Sequence, residues 1–358
     1  MSTREGAASL IKSEKAEQAK LNLQWGETTM AMLSSLIRLP LFVALGAILF
    51  SSTVPAADEA NYPSRAIKII VPFPAGGTAD ALPRIVAEKL RQKWGQPVII
   101  ENKTGAGGNI GADFVTSSPP DGYTLLASPP GPIAINEGLY KKLTFRPSDL
   151  MPVTLLGTSP NVVDVRNDFP AKTIRELIDY AKANPEKVTF ASQGNGSTSH
   201  LTAMLFQALT QTRMTHVPYR GTAPALQDIM VGTVDIFFDN LGSSLNLQQG
   251  EKLRILGVCS LERSPLLPNV TTVKESGVPD FSSVTWFALM APKDTPQTTL
   301  DKLNAAVTEI LREPDVKSRF ETLGVQVAPM EIKSTAAFIE GERERWGNII
   351  KSSQITIE

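Results

Sequence analysis

Apolar residues in the first part of the chain recur with two spacings, one typical of strands and one typical of helices. IKIIVPF (67–73), PVIIENK (97–103) and YTLLAS (123–128) are short aliphatic runs that predict strands. ALPRIVAEKLRQKW (81–94) and NIGADFVTSS (109–118) lie between them and have the spacing of amphipathic helices. Because strands alternate with helices, we expect a parallel sheet with right-handed crossovers.

The pattern changes in MPVTLLGTSPNVVDVRND (151–168), where Thr158, Ser159 and Pro160 interrupt two strand-like runs. We interpret this interruption as a crossing between two lobes. The alternation of strands and helices then restarts, and its segments are TIRELIDYAKANP (173–185), KVTFAS (187–192), SHLTAMLFQALTQ (199–211), MTHVPY (214–219), PALQDIMVG (224–232), VDIFFD (234–239), LRILGVCS (253–260) and SVTWFALMAP (283–292). The tail at 298–324 predicts amphipathic helix, so a second α/β lobe follows the first.

A targeting signal is predicted at the N-terminus. Arg38 precedes the apolar run Leu39–Phe50, and the small residue Ala56 suits cleavage before Ala57. The run is shorter than the roughly 20 residues that cross a bilayer. We therefore expect residues 1–56 to be an N-terminal extension plus signal peptide, with an uncleaved membrane anchor as the alternative.

Composition narrows the classes of function. The 358 residues include 42% hydrophobic ones, enough for a large core, and this length usually splits into two lobes. A formal net charge of −1 without a basic stripe argues against nucleic-acid binding. One cysteine and two histidines provide neither an internal disulfide nor a zinc site, although an all-carboxylate cation site stays open.

VPFPAGGTADALPRIV (71–86) predicts the end of a strand, a tight turn and the start of a helix. Gly76 and Gly77 permit close backbone approach, and Thr78 or Asp80 can cap the helix. The N–H groups at a helix start attract an anion without any lysine or arginine. The alternative is a tight turn in which Asp80 is only a cap.

TFASQGNGSTSHL (189–201) repeats this arrangement in the second lobe. Gly194 and Gly196 open the loop, and hydroxyl groups at 197–199 precede a helix expected to start near His200. We call a loop of this kind, whose helix-start N–H groups can bind an anion, a cradle. Two cradles at the carboxyl ends of strands predict one ligand held between the lobes. His200 lacks the partners of a catalytic base, so we interpret it as a hydrogen-bonding or capping group.

A competing pattern lies in VIIENKTGAGGNIGADFV (98–115). Thr104, Gly105 and Gly111 resemble the dinucleotide turn of short-chain dehydrogenases, but Asn109 stands where the middle glycine belongs. None of the tyrosines in the mature part has the lysine four residues later that those enzymes need. Nucleotide binding is therefore only a minor alternative.

Two further strand ends carry polar residues. HVPYRGTAPALQDI (216–229) places Tyr219 and Arg220 before a glycine turn, as a candidate cleft wall and counter-charge. FFDNLGSS (237–244) ends a strand with Asp239 and Asn240. A carboxylate beside an anionic ligand would be unusual unless it accepts from an amine, a hydroxyl or water, so we interpret Asp239 either as a group behind the ligand contacts or as structural.

Several segments occur together in the order and spacing of a known family. They are YPSRAIKIIVPFPAGGTAD, GAGGNIGADFV, PDGYTLL, INEGLYKKLTF, TFASQGNGSTSHL, HVPYRGTAPALQDI and WFALMAPKDTP. Over residues 60–330 the chain resembles the Bug-type extracytoplasmic receptors of tripartite tricarboxylate transporters. The resemblance implies a type II periplasmic binding protein with two α/β lobes, a two-strand hinge and a ligand cleft between the lobes.

The family's ligand loops carry over onto this chain residue by residue. The implied ligand-binding residues are Phe73, Ala75, Gly76, Gly77 and Asp80 in the first lobe, Gly194, Gly196, Ser197, Ser199 and His200 in the second, and, less directly, Ser128, Tyr219 and Arg220. With the hinge, the lobes are expected at 57–160 with 285–358, and at 161–284. Asp164 departs from the family, because it replaces an apolar residue that is usual there.

The resemblance implies a periplasmic, monomeric receptor that captures a small carboxylate and delivers it to a membrane permease. It implies no catalysis, cofactor, metal or nucleic-acid partner. A ligand sensor for a membrane signalling kinase stays open, because it would use the same fold. An α/β enzyme such as a short-chain dehydrogenase is the remaining alternative.

Overall fold

The computed structural model describes residues 61–352, and the signal peptide predicted for 1–56 lies outside the described residues. The strands are β1 (Ile67–Val71), β2 (Val98–Asn102), β3 (Thr124–Ser128), β4 (Leu150–Val165), β5 (Thr189–Ser192), β6 (Thr215–Pro218), β7 (Ile236–Asn240), β8 (Arg254–Val258), β9 (Val284–Pro292) and β10 (Gln326–Val327). The helices are α1 (Thr78–Trp94), α2 (Asn109–Thr116), α3 (Asn136–Leu139), α4 (Ile174–Ala183), α5 (Thr198–Thr210), α6 (Thr222–Met230), α7 (Leu241–Gln249), α8 (Gln297–Arg312), α9 (Pro314–Thr322) and α10 (Ile332–Ser352).

The strands form a mixed sheet in the order β2-β1-β3-β9-β4-β7-β5-β6, and both β8 and β10 pair with β4. β1 is parallel to β2 and β3, and β5 is parallel to β6 and β7. The long strands β4 and β9 run antiparallel to each other and to their neighbours β3 and β7. The predicted parallel pairing is therefore correct at both ends of the sheet, and β4 and β9 make the middle antiparallel.

β4 continues without a break through residues 158–160, so the interruption predicted there is wrong. Thr158, Ser159 and Pro160 lie opposite residues of β9, and this pairing keeps the backbone extended despite a sequence typical of a turn. What changes near Pro160 is which strands pair with β4. Residues up to Pro160 pair with β9, whereas residues from Asn161 onward pair with β7 and β8. Two α/β lobes therefore share β4.

Each lobe has its own apolar core, and the last helix packs against both. In the first lobe α1 and α8 cover β1 and β3, with Leu82 and Leu303 fully buried. In the second lobe Phe190 and Phe206 lie between β5, β7 and α5. Trp346 of α10 packs with residues of α3 and α5, which belong to different lobes. The sheet order and the packing of the two lobes bring the loops at the carboxyl ends of β1, β5, β6 and β7 close together in space.

Candidate functional site

The loops after β1, β5, β6 and β7 enclose a small cavity. Its volume is about 20 Å3, roughly the space that one water molecule needs. The lining residues are Phe73, Pro74, Gly77, Thr78, Ala79, Pro129, Gln193, Gly221, Thr222, Asn240 and Phe287. The two loops that the sequence singled out as cradles, at 71–86 and 189–201, therefore both reach this cavity.

Three helices begin at the cavity. Gly77, Gly221 and Asn240 precede α1, α6 and α7, and within residues 61–352 no side chain caps these three helix starts. The first N–H groups of a helix have no intrahelical partner and carry the positive end of the helix dipole. An anion in this cavity would therefore meet oriented backbone donors from both lobes.

The two lobes touch at glycines beside the cavity. A Cβ atom on Gly77 would lie 3.2 Å from the Thr222 hydroxyl oxygen, and one on Gly221 would lie 2.9 Å from Cγ of Pro74. Gly221 also has φ +102°, a conformation that side chains other than glycine rarely adopt. Glycine at these positions lets the backbone of one lobe approach the other closely.

A larger cleft adjoins the small cavity. Its volume is about 610 Å3, which suits a small organic ligand. The lining residues are Pro72, Phe73, Pro74, Thr104, Gly105, Ala106, Gly107, Gly108, Tyr140, Gln193, Gly194, Asn195, Pro218, Tyr219, Arg220 and Gly221. Arg220 is the one charged side chain in this lining, and within residues 61–352 it makes no hydrogen bond or ion pair.

Gln193 lines both the cavity and the cleft. Its side-chain Nε2 donates to the Thr222 hydroxyl at 3.0 Å and to Oδ1 of Asp239 at 2.7 Å. Its backbone N–H donates to the Ser199 hydroxyl at 2.8 Å. Gln193 therefore connects the loop after β5 with the starts of α6 and α7.

Asp80 holds the loop between β1 and α1 in place through hydrogen bonds. Its carboxylate accepts hydrogen bonds from the Gly76 backbone at 3.3 Å, from Arg84 at 2.8 Å and from Asn102 at 2.9 Å. Burial acts to raise the pKa of Asp80, but these hydrogen bonds outweigh it and hold the pKa below its ordinary value. Asp80 therefore stays ionised and fixes the loop before α1.

The loop before α5 satisfies most of its own polar groups. The Ser197 hydroxyl accepts from the His200 backbone N–H, and Nδ1 of His200 accepts from the Gly196 N–H at 3.4 Å. The His200 ring stacks on His216 with 4.3 Å between centroids, and His216 stacks on Phe190. Burial lowers the pKa of His200 to about 3 and that of His216 to about 4, so both rings are neutral at pH 7.

The stacked histidines predict a loss of stability in mild acid. The unfolded chain binds protons at its histidines below about pH 6.5, whereas the folded rings resist protonation until about pH 3 to 4. Stability due to this pair is therefore complete above pH 6.5 and is lost as the pH falls towards 4. Between pH 7.5 and 5, we expect the chain to lose roughly 2 to 4 kcal/mol more unfolding free energy than a His200→Gln/His216→Gln variant does. Urea denaturation at both pH values measures this, and equal losses would contradict it.

The structure divides the thirteen residues predicted to bind ligand into three groups. Those that line the cavity or the cleft are Phe73, Gly77, Gly194, Tyr219 and Arg220. Those exposed on the first loop outside the lining are Ala75 and Gly76. Those that lie behind the lining are Asp80, Ser128, Gly196, Ser197, Ser199 and His200. Their contacts with a ligand stay a prediction.

Several lining residues are not among those predicted from the sequence. Gln193 and Thr222 lie within the segments TFASQGNGSTSHL and HVPYRGTAPALQDI, where the prediction rested on their glycine, serine and charged neighbours. Tyr140 is a third, and its hydroxyl donates to the Asn195 carbonyl across the cleft at 3.2 Å. A polar residue next to a loop glycine, as at Gln193–Gly194 and Gly221–Thr222, is the signal that could have identified the first two.

A metal site and a membrane-spanning helix are both absent from residues 61–352. In that range no cluster of three or more histidine, cysteine, aspartate or glutamate side chains could hold a metal ion. None of the helices there combines the length and apolar character that a membrane crossing needs. The turn at 104–108 that resembles a dinucleotide site forms one wall of the cleft.

Known proteins of similar sequence and fold identify the family of this chain. The profile of the tripartite tricarboxylate transporter family receptor, TctC, matches residues 82–355. The solved structure of Rpa4515 from R. palustris with adipate has 33% sequence identity and a TM-score of 0.80, and it covers 83% of this chain and 100% of that one. MatC from Rhodopseudomonas palustris with bound malate has 33% identity and a TM-score of 0.77, covering 81% and 100%. The periplasmic binding protein BugD has 33% identity and a TM-score of 0.78, covering 83% and 100%.

The two-lobed α/β fold with its cleft is that of a periplasmic solute-binding protein. The chain belongs to the receptor family of tripartite tricarboxylate transporters. The predicted family and fold class are therefore confirmed. This family and fold are those of a solute-binding receptor.

Proposed function

We propose that this chain captures a small carboxylate by closing its two lobes and delivers it to a tripartite tricarboxylate-type membrane permease. Export through the predicted signal peptide would place it in the periplasm, where it acts as a monomer.

We also propose the lobe boundaries at 57–160 with 285–358 and at 161–284, because β4 changes partner strands at Asn161.

The observation that carries the proposal is the small cavity between the starts of α1 and α6. Gly77 and Thr78 come from one lobe, and Gly221 and Thr222 come from the other. A carboxylate shared by both sets of N–H groups gains charge-assisted hydrogen bonds of about 1.5 to 3 kcal/mol each. Since these donors meet only when the lobes approach, ligand binding favours closure.

The remaining body of the ligand would occupy the 610 Å3 cleft. Phe73 and Tyr219 provide apolar surface there, and the Tyr219 hydroxyl donates to Asp228 at 2.6 Å. Arg220 is exposed and unpaired within the described residues, so it is available to a second negative group. The cleft therefore suits a dicarboxylate with one head in the cavity and the other near Arg220. Adipate and malate, the ligands of the two R. palustris proteins, have this chemistry.

Calorimetric titration of the whole chain with adipate, malate and hexanoate tests the proposal. We expect at least one of these acids to bind. We expect Arg220→Gln to weaken a bound diacid roughly three- to tenfold, since an exposed ion pair contributes about 1 kcal/mol, and to leave hexanoate unchanged. Arg213→Gln, which removes an exposed arginine away from the cleft lining, is the matched control. Absence of binding by all three acids would contradict the proposed function.

A further inference from the structure

Two carboxyl groups lie in the interior of the second lobe without a positive partner. Asp164 of β4 and Asp239 of β7 are both fully buried. Val162 lies opposite Asp239, so Asp164, two residues further along, is on the same face of the sheet. The Ser244 hydroxyl of α7 donates to Asp164 and lies 3.4 Å from Oδ2 of Asp239. The two acids and this hydroxyl therefore form one buried unit.

The hydrogen bonds indicate which acid is neutral. Two buried carboxylates this close cannot both ionise without a large electrostatic cost. Oδ1 of Asp164 has no hydrogen-bond partner within the described residues, whereas Asp239 accepts from Gln193, the Asn240 backbone and Ser244. Burial and the charge of Asp239 raise the pKa of Asp164 well above its usual range. Of the two acids, Asp164 is therefore the one that holds a proton more readily.

Asp239 is the member of the pair that can change charge. Burial raises its pKa to about 7, although the hydrogen bonds from Asn240, Gln193 and Ser244 favour the ionised form. No lysine, arginine or histidine within residues 61–352 offsets the charge of either acid.

The other elements around the pair add no group that titrates near pH 7. Cys259, after β8, is a buried thiol whose pKa is raised well above its usual range by burial and by Asp164. α6, α7 and the loop after β5 contribute only uncharged side chains to the pair and its link to the cavity. His200 and His216 flank that loop but stay neutral above pH 5.

Gln193 links Asp239 to the cavity. One nitrogen of its side chain lies 2.7 Å from Asp239 and 3.0 Å from the Thr222 hydroxyl, and both Gln193 and Thr222 line the cavity. A bound carboxylate would therefore lie one side chain away from an ionised Asp239. In this buried setting, repulsion between the two negative charges is strong.

We propose that Asp239, supported by Asp164, is a positioning residue that acts through Gln193 and couples carboxylate capture to the uptake of a proton. This inference rests on the proposed function, because the bound carboxylate is what forces the proton onto Asp239. Protonation removes the repulsion and releases the Gln193 amide, which Asp239 otherwise holds. Binding is then tighter at low pH and weakens as the pH rises above 7, because each proton taken up changes affinity up to tenfold per pH unit.

The test uses the whole chain and whichever of adipate, malate and hexanoate binds most tightly. We expect its Kd to rise roughly tenfold between pH 6.5 and 8.5. At pH 8, the binding enthalpy in Tris should differ from that in phosphate, since the buffer supplies the proton. Asp239→Asn, which cannot ionise, should give a flat pH profile, and the remote control Glu275→Gln should keep the profile of the unchanged chain.

A second variant covers the case in which Asp239→Asn does not fold. Asp164→Val places an apolar residue at position 164 and leaves Asp239 as the one carboxylate that shares the Ser244 hydroxyl proton, which strengthens that hydrogen bond and lowers the pKa of Asp239. The break in its pH profile should therefore move to lower pH. Binding that is independent of pH and buffer would overturn the proton coupling, and an unshifted break in Asp164→Val would overturn its assignment to the Asp164–Asp239 pair. Either result would leave the proposed function intact. No binding at any pH would overturn both.

Discussion

Gly77→Leu is expected to weaken carboxylate binding more than a hundredfold. The backbone of Gly77 has φ −97°, which leucine adopts without strain, so the effect arises from the side chain. Its Cβ would lie 3.2 Å from the Thr222 hydroxyl, and the rest of the side chain would enter a cavity of only about 20 Å3. Two lost charge-assisted hydrogen bonds alone account for about 3 kcal/mol, which is a hundredfold in Kd.

Calorimetric titration measures this loss, and Gly341→Leu is the matched control. A Cβ on Gly341 meets nothing within 4 Å, and the residue is exposed on α10 far from the lining of the cavity. Both variants should unfold at nearly the same temperature in the absence of ligand. Gly77→Leu with a Kd like that of Gly341→Leu would show that the ligand head does not lie beside α1.

Trp346→Ala is expected to lower the free energy of unfolding by about 3 to 5 kcal/mol. The indole is fully buried between α3 and α5, where Leu139 and Leu201 come from different lobes. Its N–H also donates to Glu342 at 3.2 Å. Truncation therefore leaves a cavity between the lobes, and the Glu342 carboxylate loses the hydrogen bond from the indole N–H.

Urea denaturation followed by circular dichroism measures the change, with Trp94→Ala as the control. Trp94 is only half-buried at the end of α1, where its ring lies edge-on to Tyr62, so its loss should be less than half as large. A loss at position 346 no greater than at position 94 would show that α10 does not hold the lobes together.

Local pattern was sufficient to predict most strands and helices. The aliphatic runs at 67–73 and 123–128 became β1 and β3, and the run at 283–292 became β9. The error at 158–160 has a physical cause. Thr-Ser-Pro is typical of a turn in isolation, but pairing with β9 keeps these residues extended, and only the tertiary structure supplies that partner.

The site was harder to predict from sequence because it depends on which loops meet. Glycine and serine in the loop before α5 indicated an anion cradle, yet Ser197 and Ser199 bond within their own loop. The uncapped helix starts in the second lobe that line the cavity are instead those of α6 and α7, at Gly221 and Asn240. A sequence shows where helices begin, but it does not show which of their N–H groups already have partners.

Asp164 was noticed in the sequence, but its environment could not be predicted from it. It departs from an apolar position of the family, and no partner for it was visible in the chain. The fold brings Asp239 and Ser244 to it from strands and helices more than 70 residues away. Such distant pairing is beyond local pattern, because nothing near Asp164 in sequence specifies it.

A crystal structure of the whole chain with adipate, or with the acid that binds best, would show whether both lobes hold the same carboxylate. We expect one carboxylate with its oxygens within about 3 Å of N–H groups at the starts of both α1 and α6, beside Gly77 and Thr222. A ligand held elsewhere, or bound by one lobe alone with no donor from the other, would contradict this expectation.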